Sequence, residues 1–134
     1  MKLLTRMGSE FDAATAAAAR FIPHDEPGDF VEFLRGKVVR GEASVCDIET
    51  ASGVVGFGVY SVSKFGTARE LLVIAAIGSR DKTDITAEVM PELETLARAN
   101  DCASIRFHTM RPGLVKKVTA HGYRVAEMIL RKTL

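Results

Sequence analysis

The stretch that most constrains this chain is 70–100: ELLVIAAIGSR, then DKTDIT, then AEVMPELETLARAN. Its opening run, residues 71–77, is apolar at every position, so as a strand it must be covered on both faces and cannot lie at an edge. Ile85, Val89, Leu93, Leu96 and Ala97 then form one helical stripe. Two starts fit this helix, one capped by Asp84 and one at Pro91, where a first turn tolerates the missing N–H. The next segment, 103–109 (ASIRFHT), alternates Ile105 and Phe107 against Arg106 and His108. A strand, a helix and a strand of these lengths make a right-handed crossover, so the two strands should run parallel.

The remaining elements arrange themselves around this unit. Lys2 to Thr5 reads as a short strand. Ser9 caps a helix whose stripe is Phe11, Ala14, Ala18 and Phe21 and which stops before Pro23. Asp29 caps a second helix with Phe30, Phe33, Leu34 and Val38 inward, ended by Gly41. The period then changes to two: residues 43–50, a turn at Ala51-Ser52-Gly53, and 54–62 (VVGFGVYSV) form a hairpin. Gly56 and Gly58 mark a bulge or a close approach, by a crossing helix or by a ligand. Pro112 opens a last helix with Leu114, Val115 and Val118 inward, Gly122 closes it, and 123–134 reads as a final strand with Ala126, Met128 and Leu130 on one face.

Composition narrows the function classes. A chain of 134 residues, 47% hydrophobic, can bury one core, so a single domain is expected over 1–134. Eighteen basic against 17 acidic side chains leave a charge of +1, which makes nucleic acid an unlikely partner by global charge. Lys116, Lys117, Arg124, Arg131 and Lys132, with Arg106 and Arg111 nearby, read as solvated edges. No apolar run approaches the roughly 20 residues of a membrane span, and no secretory leader is evident, so a cytoplasmic location is expected. Cys46 and Cys102 are isolated and fit two small hydrophobes rather than a disulfide or a metal site.

The order β, α, α, β, β, β, α, β, α, β, with ETASGVVGFGVYSV as a hairpin and LVKKVTAHGYRVAEMILRKTL as a closing helix, Gly-Tyr turn and strand, resembles the GNAT acyl-CoA N-acyltransferase superfamily. The resemblance implies an α/β (α+β) fold: a mixed, mostly antiparallel central sheet with one parallel, splayed strand pair and helices on both faces. It implies acetyl-CoA as cofactor, its pantetheine arm in the gap between residues 72–77 and 105–109, bonded to the backbone of Val73, Ile74 and Ala75. It implies a phosphate loop with Arg80 at its first position, Thr83 at its first glycine and Ile85 at its second; only the arginine matches the pattern. The family's proton-donating tyrosine falls on Val118, and Tyr123, in the turn, reads as a packing residue with a hydrogen-bonded hydroxyl.

On the same resemblance Glu70 is the candidate general base. His108 is the second titratable candidate, since an imidazole exchanges protons near neutral pH. A small-molecule or protein amine is the implied acceptor. Loss of the glycines and of the tyrosine also resembles short GNAT-like members among bacteriophage and prophage proteins, which implies a non-catalytic virion or assembly role with other virion proteins as partners. An oligomer fits either reading.

Overall fold

A computed structural model describes residues 1–7, 10–78 and 85–134. Five strands form one sheet in the order β1-β2-β3-β4-β5: Lys2–Thr5, Ser44–Thr50, Gly53–Phe65, Ala68–Ile77 and Ser104–Phe107. The first three junctions are antiparallel, and β4 and β5 run parallel through the intervening helix, as the crossover argument requires. The helices are α1 (Ala13–Ala19), α2 (Phe30–Val39), α3 (Thr86–Ala99) and α4 (Pro112–Thr119). Two apolar clusters sandwich the sheet. Phe11, Ala19, Ile22, Phe30, Leu34 and Val38 pack under α1 and α2 against Val45, Phe57, Val59 and Ala75. Met90, Leu93, Ala97 and Val118 of α3 and α4 pack the opposite face against Cys46, Tyr60, Leu71 and Val73.

Asp12, not a residue nearer Ser9, caps α1: its carboxylate accepts the Thr15 amide at 2.8 Å. That start turns Phe11, Thr15, Ala19 and Ile22 inward, so the expected stripe of Ala14, Ala18 and Phe21 is displaced by one position and Phe21 is exposed. Ser9 itself lies outside the described residues. The backbone hydrogen bond from Thr15 holds the Asp12 carboxyl below the usual carboxylate range. A depressed folded-state pKa adds stability above the unfolded value and loses it as pH falls through the folded one. Asp12→Ala is therefore expected to lower the melting free energy by about 1 kcal/mol at pH 7, with the deficit vanishing in acid. Thermal melts of both proteins across the acid range measure this.

Helix α3 begins at Thr86 with Ile85 at its N-cap, and it runs through Pro91 instead of starting there. Proline inside a helix costs about 3 kcal/mol. Burial of Met90 and Leu93 on either side returns roughly 1.5–3 kcal/mol each, enough to hold the helix across the break. Asp84, the alternative cap, lies outside the described residues.

Beyond α4 the fold departs from expectation. Gly122 takes φ +90° and turns the chain, but no strand forms over 123–134, and residues 124–134 are exposed throughout. The ten-element order is thus shorter by its last strand.

Candidate functional site

The central irregularity is one extra residue in β4. Val59 pairs with Ala75 and the next residue of β3, Tyr60, pairs with Val73, so Ile74 is bulged out of the ladder. The bulge reverses the facing of β4. Leu71 and Val73 before it point to the α3 cluster, whereas Ala75 after it points to the α1–α2 cluster. On the other side of β4 the parallel ladder covers Glu70–Val73 and Ser104–Phe107, and the His108 amide donates to the Val73 carbonyl at 3.3 Å. Past that point, among the described residues, 75–77 pair only with β3, because β5 has ended and its chain turns toward Pro112. A strand pairs through alternate backbone groups on its two sides, so those of 74–77 that face away from β3 border an opening between the splayed strands.

The opening has an apolar lining on the α3 face. A cavity of about 40 Å³ between α3 and the sheet runs from Leu3, Cys46 and Ile48 to Val73, Ala76 and Phe107, with Gly58, Tyr60, Val89 and Leu93 among its walls. Tyr60 shares a 2.9 Å hydrogen bond with the Thr5 hydroxyl, and burial pushes the Cys46 thiol up to about 11, which leaves it protonated and unreactive at neutral pH. At the far end, Ile85 is half-buried and its Cδ1 lies 3.4 Å from where a Cβ on Gly78 would stand. The side chain at the start of α3 is therefore folded back over the end of β4.

On the α1 face, the same end of the sheet carries a second recess of about 190 Å³ lined by Arg6, Asp12, Ala14, Thr15, Asp47, Val54, Gly56 and Phe57. Asp47, Phe57 and Ile77 occupy one row across β2, β3 and β4, which sets this recess beside the open end of β4. The Arg6 guanidinium spans it, donating to both carboxylate oxygens of Asp47 at 2.8–3.2 Å and to the Thr15 hydroxyl at 2.6 Å. The Asp47 carboxylate raises the Arg6 pKa further. Sequence reasoning passed over this constellation. Its one signal was a charged residue, Asp47, on the same strand face as Val45; its partner, forty-one positions earlier, carries no mark.

The sequence-derived candidates scatter. Glu70 accepts the Ser104 hydroxyl at 2.8 Å and pairs with Arg106 at 3.4 Å, in the paired part of β4. By strand rise this is roughly 13 Å from His108, four residues further along the register, so the structure does not bring the two together. His108 is exposed at the end of β5, where the opening begins. Val73 is committed to β5 through its carbonyl, whereas Ile74 and Ala75 border the opening. Arg80 and Thr83 lie outside the described residues. Gly56 answers to its neighbour strand, since a Cβ there would collide with the Ile77 carbonyl, whereas a Cβ on Gly58 would meet the Cys46 sulfur in ordinary contact at 3.4 Å. Among the described residues no cluster of His, Cys, Asp and Glu could hold a metal, and no helix is long and apolar enough to cross a membrane.

Val118 is buried in the α3–α4 cluster. Tyr123 packs on Phe107 with ring centroids 5.2 Å apart, and its buried hydroxyl finds no hydrogen-bond partner among the described residues, against the expected bonded state. Burial pushes its pKa up to about 12. An orphaned hydroxyl costs stability, so Tyr123→Phe is expected to gain about 1 kcal/mol in denaturant titrations and to leave ligand binding unchanged. A loss of binding would assign the hydroxyl a role at the opening.

Solved structures superpose on nearly the whole chain and share its fold. An acetyltransferase of Trypanosoma brucei superposes with a TM-score of 0.66 at 13% identity, covering 99% of each chain. A ribosomal-protein-alanine N-acetyltransferase of Brucella melitensis biovar Abortus 2308 gives 0.64 at 12% identity, over 91% of this chain and 89% of the other. A transcriptional regulator of Bacillus halodurans C-125 gives 0.64 at 10% identity, over 98% and 99%. The chain has the GNAT fold. No protein-family model and no curated protein sequence matches it. Identities this low establish the GNAT fold and leave the reaction to be argued from the site.

Proposed function

We propose that the chain is, as one domain, an acyl-CoA-dependent N-acyltransferase that works by holding a thioester and an amine in line. The observation that carries this is the Ile74 bulge together with the end of the β4–β5 ladder at Val73 and Phe107, which leaves backbone groups of 74–77 available to a ligand. The pantetheine amides of acetyl-CoA suit such an edge, since they are themselves peptide-like donors and acceptors. The thioester would supply the acyl group. The residues present fit this arm better than the pyrophosphate: Ile85, folded over Gly78 at the helix start, offers neither glycine's freedom nor a side-chain cap, so Arg80 and Thr83 would carry that contact.

The acceptor is an amine, small or protein-borne, entering at the mouth of the opening where β5 ends. His108, exposed at the mouth, is placed to take the amine's proton. Glu70, hydrogen-bonded to Ser104 and ion-paired with Arg106, would fix the parallel pair in register. Proximity and orientation supply the rate. Titration calorimetry with acetyl-CoA and CoA tests the reading, and saturable one-to-one heat is expected.

A second reading is favoured by Val118 and Ile85, which put apolar side chains where the family's proton donor and second phosphate-loop glycine would stand. Under it the GNAT fold serves as a non-catalytic component of a bacteriophage particle, and the protein would be found in purified virions instead of turning over acyl-CoA.

A further inference from the structure

We propose that the cavity between α3 and the sheet seats the acyl chain, and that Gly58 keeps it open for propionyl and butyryl groups in preference to acetyl. The inference rests on the acyl-CoA reading of the opening and adds to it which acyl group is carried. The cavity meets the opening at the end where a thioester would lie. Ala76, exposed beyond the Ile74 bulge, and Phe107, the last residue of β5, form its outer end, and from there it runs inward beneath Val89 and Leu93 of α3.

The floor of this space is a row of small residues. Cys46, Gly58 and Ala76 pair in register across β2, β3 and β4, and all three border the cavity. Interiors ordinarily pack to crystal density, and a void forfeits the contacts its walls would make. Here the void would be easy to fill. A Cβ on Gly58 would meet the Cys46 sulfur at 3.4 Å and the Ala76 Cβ at 4.0 Å, both ordinary contacts, and Gly58 is not among the glycines with positive φ. Neither crowding nor backbone conformation calls for glycine at this position, so its effect is to leave the space empty.

The lining suits a hydrocarbon. It is apolar throughout, because the Tyr60 hydroxyl shares its hydrogen bond with Thr5 and the Cys46 thiol, pushed up to about 11 by burial, stays protonated instead of attacking a thioester. A site without polar partners holds no ordered water. Its 40 Å³ is roughly three times the 10–15 Å³ that one water needs, and a methylene is about the size of a water, so about three carbons fit beyond the carbonyl.

Calorimetry of the full chain with CoA and its acetyl, propionyl, butyryl and octanoyl thioesters tests this. Affinity is expected to rise about fourfold for each methylene from acetyl to butyryl and to fall back at octanoyl. Gly58→Ala should weaken butyryl-CoA about tenfold and flatten the series, and Cys46→Ala, which widens the inner end, should move the optimum to a longer chain. Affinity for CoA itself, which has no chain to seat, should be unchanged in both variants and shows that they are folded. An optimum at acetyl, a flat series in the wild-type chain, or a preference indifferent to Gly58→Ala would overturn the inference while cofactor binding stands. Absence of heat with CoA and with every thioester would instead remove the acyl-CoA reading, and this inference with it.

Discussion

Ala76→Phe is expected to weaken acetyl-CoA binding by about a hundredfold or more, roughly 2.7 kcal/mol, with little change in melting temperature. Ala76 sits past the Ile74 bulge, is exposed, and borders the cavity shared with Val73 and Phe107. A ring at that position would stand in the opening between the splayed strands. It displaces no packed neighbour, so the fold has no reason to suffer. Calorimetry and thermal melts on the same preparation separate the two effects: lost stability with unchanged affinity would mean that the opening is not where the ligand lies.

The largest expected stability loss is at Leu71. Its side chain is fully buried, packed in the α3–α4 cluster from the paired part of β4, opposite Val62 on one side and Ile105 on the other. Leu71→Ala leaves a cavity where both neighbouring strands hold the backbone in place, and costs of this kind run about 2–5 kcal/mol. Against a total of roughly 5–15 kcal/mol for a domain, that is a large fraction. Urea titration should show the midpoint falling at constant slope. A loss under about 1 kcal/mol would mean that the site collapses freely, which the flanking strands should prevent.

What the sequence made legible follows from where apolar contrast is strong. The run 71–77 located the last seven residues of β4 and its end at Ile77, and the alternation around Ala51-Ser52-Gly53 located the hairpin, because each period has one structural meaning. The parallel pairing followed from the length of the crossover alone. In α1 the contrast vanishes: a run of alanines offers no stripe, and the cap at Asp12 decided which face turned inward. The feature on which the site depends was invisible for the same reason. Ile74 sits among Val73 and Ala75, and an extra apolar residue in an apolar run leaves no mark, although it reverses the facing of everything after it.

Glu70 and His108 show a further limit. Both were singled out as titratable groups near one strand pair, but register decides distance, and the register sets Glu70 beside Ser104 and Arg106 while His108 stands at the mouth. The Arg6–Asp47 pair was missed because a long-range ion pair has no spacing to read. Residues 124–134 have strand alternation and no strand; the segment is held by ion pairs of Glu127 with Arg106 and Arg131 with Asp25, which no periodicity shows.

The central claim is that the opening beyond Ile74 holds the pantetheine arm of an acyl-CoA, and titration calorimetry of the full chain with acetyl-CoA addresses it most directly. The account predicts saturable, one-to-one binding that survives Tyr123→Phe and is lost in Ala76→Phe. Absence of heat at high micromolar concentration, from protein shown to be folded, would contradict it.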